Sequence, residues 1–409
     1  MTDAQIEAPQ NTDWTRIALL WLCGMGAALQ FAKASVAFDA LAAAYQAGPA
    51  LAGWLLSAVG AVSVVFGATA GLIVGRVGRR RSLIAALAAA SALSLIQAAL
   101  PPVSLFLATR ILEGVSQLAI IVAAPISLPE LTAPRHRAIV LAFWGTFFSV
   151  AFLLAGVVGP PLLDAFGLGG LFIAHGAAMA ALLLLAFLFV HPDEKREKDG
   201  RGRRASFQDI VHSHIDVYAN PRSAIPSLCF LCYTGLFLAL QTLTPALAAL
   251  EDRPWLVIGM PLISIGSTLL AGVLVQYWLT PFRLTALAFA AVVLSSAALH
   301  LAASLGVGVV SAGLARMAFV SLLPGAIYPM IPLLCAGAPL QARAYGAIAQ
   351  LGNVGTLLGP PIFAASLAAF GPVGLMVPTL ALSACGVALA SFAARRFAGE
   401  ARAASPQGA

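Results

Sequence analysis

Five ionisable side chains stand inside long apolar stretches of this sequence: Lys33, Asp39, Arg110, Glu113 and Arg316. A charge at the centre of a membrane helix costs roughly 2.5–3.5 kcal/mol on insertion scales, so each is a candidate for holding an ion or a charged solute. Arg110 and Glu113 are three residues apart, a spacing that puts them on one helix face. One reading makes them an ion pair, with Lys33 as a third member, that fixes the positions of helices. The preferred reading makes Glu113 a proton-binding group. Its affinity is set by burial against two neighbouring cations, a balance that shifts whenever a cavity opens beside it. Metal and nucleophile chemistry have little support. Cys229 and Cys232 form a C-x-x-C around Phe230 and Leu231 with no second pair nearby, and His212 and His214 stand in a polar stretch without partners. We therefore expect no metal, no cofactor and no enzyme activity.

The elements that must position these groups follow from composition. Hydrophobic residues are 60% of the 409 and charged residues 10%, against roughly a quarter charged in soluble domains. So much apolar side chain leaves a soluble fold with a greasy surface. This excludes a soluble enzyme, a disulfide-framed secreted domain (five cysteines, all in apolar runs) and a disordered chain. The net charge of +7 comes from basic residues too sparse for a nucleic-acid face. A bilayer crossing needs about 20 mostly apolar residues. That measure gives twelve spans, among them 17–38, 51–74, 103–128, 138–162, 169–190, 224–248 and 306–334. All Lys and Arg fall on one side of this map except Arg253, opposite, and Lys33, Arg110 and Arg316 within spans. The positive-inside rule makes that side cytoplasmic, with both termini there, in a multi-pass cell (inner) membrane protein. The first 16 residues are polar and no cleavable signal is visible.

The expected fold class is all-α integral membrane, with twelve transmembrane helices in two parallel six-helix repeats. The domains are 1–190, a cytoplasmic linker 191–223 and 224–409. The halves echo one another: Gly159-Pro160-Pro161 returns as Gly359-Pro360-Pro361, and Gly71-Leu-Ile-Val as Gly272-Val-Leu-Val. Six crossings per copy return the chain to its starting side, so the repeat is parallel.

These residues resemble the major facilitator superfamily along essentially the whole chain. Gly71-Leu-Ile-Val-Gly75-Arg76-Val-Gly78-Arg79-Arg80-Arg81 is similar to that family's G-x-L-a-D-r-x-G-r-k loop. Its glycines permit a tight turn, and its arginines can hold carboxylates or helix C-terminal carbonyls. Gly75 replaces the usual acid, so another pair must latch the gate. Glu130 is the candidate partner of Arg76 or Arg79, and Arg137 fits only a generic pattern. Arg110-Ile-Leu-Glu113-Gly114 resembles a segment of proton-driven exporters, and Gly156-Val-Val-Gly159-Pro160-Pro161 an antiporter motif lacking its trailing glycines.

The resemblance implies a cavity lined by the first, fourth, seventh and tenth helices, which carry all five ionised candidates, while the third, sixth, ninth and twelfth face lipid. At about 1.5 Å per residue, Arg110 lies about 10 Å and Glu113 about 15 Å below the outer end of their span, and Lys33 at a similar height. Arg316 falls near the midplane, and Asp39 toward the outer mouth. Gln30, Phe143, Trp144, Phe147, Gln241, Tyr328, Gln350 and Asn353 are candidate pocket residues. His175 and His300, on peripheral helices, are read as packing or interfacial residues rather than proton carriers, and Pro324, Pro329 and Pro332 as a bend in the tenth span. The expected activity is alternating-access transport of a small organic solute, with proton-coupled export of an amphipathic compound or metabolite preferred. Proton-symport uptake of an organic anion is the nearest alternative. A sensor or assembly factor on the same scaffold is the alternative from another class. Expected partners are the solute, protons and lipid, with no nucleic acid, and the protein is read as a monomer.

Overall fold

The computed structural model describes residues 11–67, 69–133, 136, 140, 143–190, 218–335 and 338–397. The linker from 191 to 217, with His212 and His214, and the residues Arg135 and Arg137 lie outside the described residues. Eleven helices among the described residues are long and apolar enough to cross a membrane. One of them, Phe147–Phe189, runs 43 residues, about 64 Å at the α-helical rise and twice a bilayer core. It breaks at Gly167, whose φ of 64° and ψ of −169° suit a residue without a Cβ. The two arms are separate crossings, which brings the number to twelve.

In chain order the crossings are α1 (Trp14–Val36), α2 (Pro49–Phe66), α3 (Arg79–Ala98), α4 (Val103–Leu131), α5 (147–166) and α6 (168–189). The second six are α7 (Pro221–Leu243), α8 (Arg253–Tyr277), α9 (Pro281–Leu305), α10 (Val309–Ile327), α11 (Ala338–Phe370) and α12 (Pro372–Arg396). Local chemistry sets these limits. Asp13, Asn220 and Thr280 accept a first-turn N–H, and Pro49, Pro221, Pro281 and Pro372 occupy first-turn sites where no N–H is needed. The seventh helix starts three residues before the expected 224 because Asn220 caps it. The tenth bends as its prolines suggest, ending at Ile327 and resuming at Met330–Leu334.

Large apolar side chains such as Leu184, Phe187, Leu188, Leu294 and Leu301 point outward, as lipid-facing helices require. Two buried clusters lie mainly within α1–α6 and a larger one within α7–α12. The repeated Gly-Pro-Pro does the same job twice. Gly159 of α5 lies against Val36 of α1, and Gly359 of α11 against the Gly235 backbone of α7, so motif and contact recur together. Helix α2 packs along α11: Ser57 Oγ donates to Leu357 O at 2.7 Å, and Gln350 Nε2 to Val64 O at 2.6 Å. At the end of the molecule bearing Asp39, α1 meets α7 through Ser35 and Thr242, whose hydroxyl oxygens are 2.6 Å apart. Arg253 approaches Asp39 at 3.9 Å on the same end.

Candidate functional site

Helix α2 is where the site begins. A 3-10 turn, Ala58–Gly60, interrupts it, and Gly114 of α4 lies directly against the Val59 carbonyl there, leaving no room for a Cβ. One turn earlier on α4, Arg110 Nε donates to Leu55 O at 2.9 Å and Nη2 to Leu56 O at 2.8 Å. Its third guanidinium nitrogen pairs with Glu113 Oε2. The Arg-x-x-Glu-Gly segment thus has distinct tasks: the arginine holds carbonyls beside the turn, the glycine admits the bent chain, and the glutamate reaches elsewhere.

Glu113 reaches α1. Its Oε1 accepts from Lys33 Nζ at 2.7 Å, so each carboxylate oxygen serves one cation. The Lys33 ammonium also donates to Ser94 Oγ at 2.9 Å and Gln97 Oε1 at 3.1 Å, both on α3, and lies 4.9 Å from the centre of the Phe172 ring. His175 of α6 completes the shell, with Nδ1 3.2 Å from Lys33 Nζ and Nε2 3.2 Å from Gly26 O. An Nδ1 facing an ammonium must accept, so the proton sits on Nε2 and is donated to Gly26. Gln97 Nε2 continues to Thr109 Oγ1 at 3.2 Å. Lys33, Arg110, Glu113, Ser94, Gln97 and His175 are all buried.

Two expectations change here. Lys33, Arg110 and Glu113 do not face an open central cavity in this conformation; the shell of α3 and α6 side chains encloses them. His175 is not a packing residue on a peripheral helix but a direct neighbour of the ammonium. The sequence reading missed Ser94 and Gln97 altogether. Their signal was present: Ser91, Ser94 and Gln97 recur every three residues along an otherwise apolar helix, a polar stripe that must face polar company.

A family model described as the Major Facilitator Superfamily matches residues 20–360. The chain belongs to that superfamily. It is therefore a membrane transporter of small solutes rather than an enzyme. Among curated proteins it is 32% identical over 126 residues to the inner membrane transport protein YajR of Escherichia coli strain K12, covering 31% of this chain and 27% of that one. It is 29% identical over 203 residues to human solute carrier family 67 member A1, covering 46% of this chain and 47% of that one. These matches span less than half of either relative's length. Among solved structures, a bacterial homologue of the human lysosomal transporter Spinster, inward-facing and occupied, superposes with a TM-score of 0.75 at 14% identity, over 95% of this chain and 98% of that one. A D-xylose–proton symporter gives 0.73 at 18%, over 93% and 97%. At such identities these superpositions speak for the fold, which is the major facilitator fold.

The superfamily loop after α2 turns at Gly78, whose φ of 100° and ψ of 141° belong to glycine territory. What Gly71 and Arg76 touch lies outside the described residues. Arg79 pairs with Glu130 at 2.6 Å, the expected partnership, but it joins α3 to α4 within the first six helices and so does not itself bridge the two sets of six. Arg80 acts as the carbonyl holder, donating to Val190 O at 2.7 Å and Phe187 O at 2.8 Å at the end of α6.

The pocket candidates scatter. Gln30 Nε2 donates to Ser116 Oγ at 2.9 Å while its Oε1 is buried without a donor. Trp144 lies tilted against Phe147 and covers Gly24, and Phe143 stacks on Trp21. Tyr328 is exposed and packs on Phe230 and Tyr345. Asn353 Nδ2 donates to its own helix at Ala349 O, 2.7 Å away. Gln241 lines a cleft between α1, α5, α7 and α8, together with Ser35, Asp39 and Arg253. Arg316 is buried on α10, its guanidinium donating to Thr244 Oγ1 at the end of α7. His300 is partly buried on α9 and joins none of these groups.

Proposed function

We propose that this transporter moves its solute by alternating access, that a proton bound at Glu113 drives the cycle, and that the direction is export from the cytoplasm. The carrying observation is the Lys33–Glu113–Arg110 cluster, in which a single buried carboxylate balances two cations on α1 and α4. Protonating Glu113 removes the one negative charge that holds Lys33 of α1 to α4. The ammonium then needs another partner or water, and the cheapest way to supply either is to move α1 relative to α4. The reverse also holds: a conformation that admits water beside Glu113 changes its appetite for a proton. Reciprocity of this kind couples a proton to a helix rearrangement without direct contact between proton and solute.

The side assignment rests on charge. Arg79, Arg80, Arg81, Arg222, Arg283, Arg343, Arg395 and Arg396 gather at one end of the helices and Arg253 stands at the other. The arginine-rich end is cytoplasmic on the positive-inside rule, which puts both termini inside and Asp39 outside. With Ser35 on Thr242 and Arg253 near Asp39, the outer side is the closed one in this conformation. Export is favoured by the likeness of the α4 segment to proton-driven exporters.

The test is solute flux in proteoliposomes with and without an imposed pH gradient, using a panel of amphipathic compounds and metabolites. Export predicts that an inside-acidic gradient drives accumulation by inside-out protein. Flux indifferent to the gradient removes the coupling. Binding without exchange across the bilayer makes the protein a sensor.

A further inference from the structure

Arg316 is a buried cation without a counter-ion among the described residues. Its side chain is 3% exposed, its hydrogen-bond partner is the Thr244 hydroxyl, and no carboxylate among the described residues pairs with it. This contrasts with Arg110, which has a carboxylate and two carbonyls. A guanidinium stays protonated even when buried, so it cannot escape by losing its charge. Leaving it uncompensated inside a membrane bundle is costly, and the usual reason to keep such a group is that something else brings the negative charge.

A second unmatched group stands on the same helix end. Gln241 precedes Thr244 by three residues, which places the two on one face of α7. Its side chain is 5% exposed, lines the cleft between α1, α5, α7 and α8, and its Oε1 is buried without a donor. One turn before Arg316, Gly313 packs closely against Leu256 and Thr244, with no room for a Cβ, which brings α10 close to the end of α7. A cation with no anion among the described residues thus bonds Thr244, and an acceptor without a donor stands three residues before Thr244 at the end of α7.

Resting on the transport reading above, we propose that Arg316, Thr244 and Gln241 form the recognition subsite for the solute's carboxylate, and that the solute is a small monocarboxylic acid bearing a hydroxyl or amino donor next to an apolar body. One guanidinium balances one negative charge, which suits a carboxylate better than a dianionic phosphate. Thr244 accepts from Arg316 and so stays fixed as a support, leaving the guanidinium's remaining N–H groups for the carboxylate. Gln241 Oε1 takes the neighbouring donor. Of the three residues Gln241 lines the cleft, whose walls include Phe38, Phe152 and Val257, so the apolar body would lie on the Gln241 side.

The experiment is thermal melting of the purified protein in detergent with benzoate and mandelate, against their neutral amides benzamide and mandelamide. The acids should stabilise the wild type and the amides should not, and mandelate should exceed benzoate because it adds the donor. Arg316→Met should melt higher than wild type when unliganded, since it removes an uncompensated charge, and should lose at least about tenfold in acid affinity. Arg316→Lys should keep a weakened preference for acids. No acid-over-amide preference in the wild type overturns the proposal, as does a preference that survives in Arg316→Met or an unliganded Arg316→Met that melts below wild type. Flux in proteoliposomes separates the two claims. A working transporter indifferent to carboxylates would sink this subsite and leave the transport reading standing, whereas acid binding without flux would do the opposite.

Discussion

The Lys33 ammonium of α1 meets the Glu113 carboxylate of α4 at 2.7 Å, with both groups closed off from solvent. Because Arg110 takes the other carboxylate oxygen, removing Glu113's charge strands two cations, while removing Lys33's leaves one ion pair intact. Glu113→Gln should therefore cost about 3–5 kcal/mol of stability, and Lys33→Met much less. The double variant should recover part of the loss, because it restores the cluster's original net charge. Melting temperatures of the three variants in detergent measure this. An additive double variant would mean the two groups do not interact. On the coupling reading, Glu113→Gln that remains folded should exchange solute between liposomes yet lose its response to a pH gradient.

How far this cluster was legible follows from what each residue's neighbours look like along the chain. Arg110 and Glu113 declare themselves, since an ion amid apolar residues has few reasons to be there. Twelve crossings were readable from apolar length. The continuity of α5 into α6 was not, because helical hydrogen bonding resumes directly after Gly167 and only the backbone angle marks the turn. Ser94 was missed and His175 misread for a different reason. A serine or histidine in a membrane helix is cheap enough to stand anywhere, and its importance comes from the ammonium it meets across three helices. Arg316 was visible as a charge, but that no described carboxylate pairs with it is a fact of three dimensions.

The Arg79–Glu130 pair is half-exposed and joins α3 to α4, so a single charge reversal at either site should leave the protein folded. An exposed pair contributes under about 1 kcal/mol, which caps the expected loss of transport rate at roughly fivefold. Arg79→Glu and Glu130→Arg should each show such a loss, and the combined swap should restore most of it. A swap no better than the singles would show that the two side chains act separately.

Ser35 and Thr242 tie α1 to α7 with hydroxyls 2.6 Å apart, close enough for a disulfide after Ser35→Cys and Thr242→Cys. In a background lacking the exposed Cys385, oxidation should fix the Asp39 end shut and abolish flux, and reduction should restore it. The expected contrast is complete loss against near-normal rate in one preparation. Full transport with the disulfide verified by mobility shift would mean this end need not open.

Gly53 of α2 packs tightly on α11: a Cβ there would overlap the Pro361 backbone and the carbonyl carbon of Pro360. Neither partner can yield easily. Pro360 and Pro361 fix their own φ, and a proline pair in mid-helix already forgoes backbone hydrogen bonds. Gly53→Ala should therefore push α2 from α11 and cost about 1–3 kcal/mol, as overpacking does. Gly48 offers the control, because a Cβ at that position meets nothing. Gly48→Ala should melt within a degree or two of the wild type, while Gly53→Ala should melt clearly lower and transport more slowly, since α2 must carry Leu55 and Leu56 to Arg110. Equal melting of the two variants would show that α2 and α11 are not held as closely as the contact implies.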